Sequence, residues 1–175
     1  EMCIRDRYHI KLQKHSLGNF KEFVSEIGLE PAMLLYLNGY SNRKQAPNEN
    51  YARELYELFT LGEGNGYQSN DITETARALT GYNKYSDGNG SAIIFNSNTF
   101  DNGDKTIFGK TGNWGYQDVI DILFNEKKDL IAKFICQKLY KYFISPKVEN
   151  EIVNQLAATF VSNDFNLIPC LLYTS

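Results

Sequence analysis

Residues 47–64 read PNENYARELYELFTLGEG, from Pro47 to Gly64, and this stretch decides the fold class. Proline and asparagine at its start suit the first turn of a helix, and the glycines at its end break one. At about 100° per residue, Tyr51, Ala52, Leu55, Leu58 and Phe59 share one face, whereas Glu49, Arg53, Glu57 and Thr60 lie opposite. The expected element is an amphipathic helix from Asn48 to Leu61. Glu54 falls between the two faces, beside Leu61, where a carboxylate would be partly desolvated.

The same periodicity recurs on both sides. Upstream, SLGNFKEFVSEIG places Leu17, Phe20, Phe23, Val24 and Ile27 at helical spacing, with Gly28 where a C-terminal cap belongs. Pro31 opens a short apolar helix that Asn38 and Gly39 stop, and YSNRKQA reads as a polar linker. Downstream, SNDITETARALTG reads as a helix capped by Ser69 or Asn70 and ended by Gly81; with the preceding helix it should form a hairpin. Helical patterning returns in YQDVIDILFN and KKDLIAKFICQKLYKYFI, stops at Pro146, and resumes in KVENEIVNQLAATFVSN. The segment between, rich in Gly, Asn and Asp, has short apolar runs at Ile93–Phe95 and Ile107–Phe108 and reads as a small β-hairpin on a long loop. The expected fold is mainly α, a multi-helix domain with one small hairpin insertion.

Composition narrows the function classes. The 175 residues, 42% of them hydrophobic, suffice for one domain with a real core. A formal net charge of -3 supplies no basic stripe for a phosphate backbone, which argues against nucleic acid as a partner. No apolar run is long enough to span a bilayer.

The two ends carry a separate signal. Met2–Arg7 can be back-translated to ATG TGT ATA AGA GAC AGx and Cys170–Ser175 to TGT CTC TTA TAC ACA TCT; the two are reverse complements of each other and match a transposon mosaic end. The expectation is that residues 1–7 and 170–175 are translated sequencing adapter, flanking a domain at 8–169 cut from a longer gene. Cys3 and Cys170 then say nothing about redox chemistry or metal. Cys136, in an apolar helical run, reads as a small buried hydrophobe.

Several motifs fail on spacing. GDKTIFGKTG resembles the tail of a phosphate-binding loop, but Gly103 lies one residue too far upstream and glycines follow where a helix is required. Gly62, Gly64 and Gly66 follow a helix and not a strand, so they read as a connector. Asp101, Asn102 and Asp104 lack the spacing of a calcium loop and read as a polar turn. His9 and His15 are six apart, which excludes an i, i+4 metal pair. No metal and no cofactor is expected.

The remaining constellation sits on the helix from Asn48 and on the one after it. Glu54 or Glu49 is the candidate acid or base; Asn48, Asn50, Arg53, Glu57, Arg77 and Thr80 complete a binding or structural network. Arg77 is expected to reach Glu54 or Glu57 across the hairpin. A desolvated carboxylate would suit catalysis, and a carboxylate paired to arginine would suit a clamp.

HSLGNF, PAMLLYLNG, NRKQAPNENYARELYELFTLGEG and DITETARALTGY, with GDKTIFGKTGNWGYQDVIDIL and FICQKLYKYFISP, closely resemble the bacterial DUF1800 family over nearly all of residues 8–169. Asn48–Gly62 matches its signature block and Ala76–Gly81 a second one. The resemblance implies a piece of a larger, mainly helical, exported protein, periplasmic or secreted, encoded beside a sulfatase-like partner, and it transfers no activity. Where the family commonly has His-Asp, this chain has Phe100 and Asp101, so no mechanism needing that histidine carries over. Two function classes follow: an accessory or partner-binding domain with a structural polar network, and a hydrolase-like enzyme using a glutamate with arginines to hold an anionic substrate.

Overall fold

A computed structural model describes residues 4–86 and 91–173. It is mainly α. The helices are α1 (Ile4–His15), α2 (Phe20–Gly28), α3 (Pro31–Tyr36), α4 (Asn50–Glu54), α5 (Ser69–Ala78), α6 (Tyr116–Glu126), α7 (Lys128–Phe143), α8 (Asn150–Ser162) and α9 (Leu167–Tyr173). The expected hairpin resolves into two short antiparallel pairs: β1 (Tyr82–Ser86) with β2 (Ser91–Phe95), and β3 (Lys105–Ile107) with β4 (Lys110–Gly112). Each apolar run noted in the sequence lies in or beside a different pair.

The core gathers aromatic side chains from distant parts of the chain. Phe20 of α2 lies 5.9 Å from Phe124 of α6 and 6.2 Å from Phe160 of α8, and Phe165 packs edge-on against both Phe124 and Phe160. Edge-to-face packing is the arrangement ring quadrupoles favour. The Phe165 carbonyl accepts the Phe20 N–H at 2.8 Å, so the turn before α9 and the start of α2 are one unit. The helix expected from Ser16 begins only at Phe20, capped by the Asn19 side chain, which accepts the Glu22 N–H. Leu17 precedes it and is exposed. α1 had no counterpart in the sequence reading: Tyr8, Leu12 and His15 are its inward contacts, too few to stand out among charges.

Gly28 is not the left-handed cap its position suggested. It is the last residue of α2, and the hydroxyls of Tyr51 and Tyr116 lie over it; a Cβ there would sit 1.9 Å and 2.2 Å from them. The Tyr116 hydroxyl, beside that of Tyr51, donates to the Val24 and Ser25 carbonyls at 3.2 and 2.9 Å. Burial pushes both phenols up. The left-handed stop expected at Asn38 is present, at φ 58°.

The deciding stretch itself holds the largest surprise. After Glu54 the helix widens, and Leu55–Thr60 form a π-helical turn. An i→i+5 turn accommodates one extra residue, so the faces rotate beyond Leu55. Tyr56 and Thr60, the latter placed on the polar face by a uniform helix, are fully buried, and Leu58, expected in the core, is 56% exposed.

Candidate functional site

The candidate residues fall into two groups that do not meet. The first begins at the linker. Buried Asn42 accepts the Asn48 N–H on its side-chain oxygen at 2.8 Å and donates its amide to the Ala76 carbonyl at 2.8 Å. Asn48 accepts the Asn50 N–H, and the Asn50 amide donates to the Leu37 carbonyl at 3.0 Å. These short asparagine bonds fix the entry of α4 against the end of α3 and the body of α5. Each of Asn48 and Asn50 thus has one side-chain group bonded to backbone. From there Glu49, Arg53 and Glu57 run along the outer side of the helix. Arg53 donates to Glu49 at 3.2 Å and to Glu57 at 3.3 Å, while Thr73 donates to Glu49 and Tyr67 to Glu57. The i, i+4 pairs read from the sequence are present. Glu54 is half-buried and makes no hydrogen bond or ion pair with the described residues.

The second group centres on Arg77 of α5, whose partners are neither Glu54 nor Glu57. Its Nε and Nη2 donate to the Asp101 carboxylate at 2.8 and 3.3 Å, and its Nη1 donates to Glu74 at 2.9 Å and to the Asp104 carbonyl. The reason is local geometry. Glu74 lies one turn before Arg77 on the same face, and the loop carrying Asp101 is tied to α5 by the Asp101 N–H donating to Thr80 Oγ1 at 2.8 Å. Thr80 in turn donates to the Arg77 carbonyl. Burial pushes Asp101 up, but the Arg77 guanidinium and the Gly103 N–H outweigh it and hold the carboxyl below its usual range. The same bond raises Arg77 further.

Around this pair the network closes. Glu74 also accepts the Thr106 N–H of β3, and Asp71 accepts both the Gln68 N–H at the start of α5 and the Phe108 N–H in the β3–β4 turn, each at 2.8 Å. Asp71 therefore caps α5 in place of Ser69 or Asn70. Phe108 and Gly109 both have positive φ, which gives the primed two-residue turn that a tight hairpin needs and disposes of any phosphate-loop reading. Lys105 is fully buried, its ammonium donating to the Asp101 carbonyl and to Asn113 Oδ1 and lying 4.7 Å from the Phe100 ring centroid. Burial pulls its pKa down. Sequence reading missed Asn42, Asp71, Glu74, Asp101 and Lys105 as members of the network; the signal available was a charged or amide side chain flanked by turn residues, which is common.

Chemically, the arrangement offers little to a substrate. None of five clefts formed by the described residues is lined by Asn48, Glu49, Asn50, Arg53, Glu54, Glu57, Arg77 or Thr80. No group of three or more His, Cys, Asp or Glu among the described residues is placed to hold a metal ion. Asp101 and Asp104 serve Arg77 as a polar turn. His15 packs against Phe23 and faces Glu26 at 3.2 Å. Cys136 is buried beside Cys170, and donation to that neighbour, then burial, pushes its thiol up, away from reactivity.

A family model described as a protein of unknown function, DUF1800, matches residues 1–173. The chain belongs to the DUF1800 family. No curated protein and no solved structure matches it. Within the matched residues, Asn48–Gly62 carries the asparagine entry, the ion-paired ridge and the π-helical turn. No helix among the described residues is long and apolar enough to cross a membrane.

Proposed function

We propose that the chain is a non-catalytic, accessory helical domain of an exported protein, in which the signature block and the Arg77 network organise the fold and the outer surface serves a partner. One observation carries this: Arg77, Glu74 and Asp101 satisfy one another and the adjoining backbone, with none of them lining a described cleft. A substrate-binding arginine needs a free fork of donors, and this one is occupied. Export and a sulfatase-like partner rest on the family resemblance alone.

Arg77→Met tests the reading. It leaves two half-buried carboxylates unpaired and should cost about 2–3 kcal/mol, read as a lowered thermal midpoint. The competing hydrolase reading draws on one observation, the half-buried Glu54 without a described partner. Wild type and Glu54→Gln are therefore assayed on carboxylic and phosphoric ester panels. Turnover by the wild type that vanishes in a Glu54→Gln protein of unchanged thermal midpoint would overturn the accessory role.

A further inference from the structure

Away from the signature network, two apolar cavities of about 270 and 550 Å³ adjoin between α1, α2, the π-helical turn and α7. They share Phe20, Phe23, Ile135 and Lys138 in their walls. Leu58 lines the first, and exposed Tyr142 and Phe143 rim the second. The larger has the volume of a ligand pocket and the smaller extends it; such pockets combine apolar walls with a few polar groups.

The charge on these walls is one-sided. Neither cavity is lined by an aspartate or glutamate, whereas Lys138 stands at the seam of both. Its ammonium donates to the Leu58 carbonyl at 2.9 Å and lies 4.2 Å from the Phe134 ring centroid. Among the described residues no carboxylate pairs with it. An ammonium has three donors, so the one engaged by Leu58 leaves capacity for an anion. Tyr51, also in the wall, has its hydroxyl over Gly28 beside that of Tyr116. Tyr8, His15, Ser16 and Tyr142 add polar atoms to the walls, but the group at the seam of the two greasy compartments is the Lys138 cation.

We propose that this trough binds an anionic amphiphile, a long-chain carboxylate whose tail lies in the apolar cavities and whose head pairs with Lys138. The full chain is titrated calorimetrically with dodecanoate, and with dodecanol as the uncharged control, both below their solubility limits. Wild type should show one saturable site for dodecanoate. Lys138→Met keeps the apolar stem and should weaken dodecanoate about tenfold or more, a loss of about 1.4 kcal/mol per tenfold, while leaving dodecanol unchanged. Leu58→Trp, at an exposed rim position that folding tolerates, should weaken both. Folded protein that gives no saturable heat, that binds many equivalents, or whose dodecanoate affinity ignores Lys138→Met would overturn the proposal. So would self-association of the chain, seen by sedimentation, that Leu58→Trp abolishes and dodecanoate leaves intact, since a second copy would then occupy the face.

Discussion

Replacing Gly28 by alanine should destabilise the protein, although helix propensity alone says the opposite. Gly28 ends α2, and alanine in a helix is favoured over glycine by about 1 kcal/mol. Against that, the new methyl carbon would stand 1.9 Å from the Tyr51 hydroxyl and 2.2 Å from that of Tyr116, both in side chains at most 5% exposed. Carbon and oxygen need well over an ångström more than this, so both rings have to retreat within a packed core. Overpacking of this kind costs about 1–3 kcal/mol. The retreat also pulls Tyr116 from the Val24 and Ser25 carbonyls, at about 1 kcal/mol for each bond. The net is about 2–4 kcal/mol, or a fall of about 4–16 °C in thermal midpoint for a chain of this size. Circular dichroism melts of wild type, Gly28→Ala, Tyr51→Phe and the double variant measure it. Removing the nearer hydroxyl should return at least half of the loss, a coupling the double-mutant cycle isolates. A Gly28→Ala protein as stable as wild type would refute the close-approach account and restore Gly28 to an ordinary helix end.

Three further outcomes are expected. Thr60→Val, which keeps shape and removes the hydroxyl donated to the Leu55 carbonyl, should lower the urea midpoint by the equivalent of about 1 kcal/mol; an unchanged midpoint counts against that bond in the π-helical turn. Asp71→Ala should cost about 2 kcal/mol and speed hydrogen exchange at Gln68 and Phe108 together, since one carboxylate holds both amides. Glu26 is held at about 2, below its usual 4.5, by Lys11, then Lys14 and His15. Its folded value is depressed, so its contribution is present above pH 4.5 and is lost as pH falls toward 2. Acid titration of Glu26→Gln should therefore show a flatter stability slope over that window than wild type, and equal slopes would remove Glu26 as the source.

What the sequence disclosed followed the range of the forces involved. The amphipathic segments, the asparagine stop at residue 38, the i, i+4 pairs of Arg53 and the mainly α class all depend on neighbours within about a turn. Arg77 pairs outside its hairpin because its main partner, Asp101, is 24 residues away and comes from a loop held by distant groups such as Thr80, Asn83 and Lys44. Gly28 was misjudged for the same reason, since the tyrosines above it come from α4 and α6. The inversion of Leu58 and Thr60 is different. There the segment was recognised and the period was wrong, because a π-helical turn has no residue signature of its own and is paid for by contacts elsewhere.

Those contacts hold the widened turn in place. Widening the turn leaves carbonyls without their usual i+4 partners, and an unpaired buried carbonyl costs about 1–3 kcal/mol. Here three of them are met separately: Leu55 by the Thr60 hydroxyl, Tyr56 by the N–H groups of Leu61 and Gly62, and Leu58 by Lys138 of α7. The buried Tyr56 hydroxyl is hydrogen-bonded to Thr75 of α5, which holds the rotated face against its neighbour. With Tyr56 and Thr60 turned inward, Leu58 has to turn out, and it does so at the wall of the apolar trough, beside the lysine that its own carbonyl anchors. The feature that spoiled the helical wheel thus places both an apolar and a cationic group at the proposed amphiphile site. A variant that restored a regular α-helix through Leu55–Thr60 should therefore change dodecanoate binding without touching a residue of α1 or α2, whereas a trough built independently of the turn would bind as before.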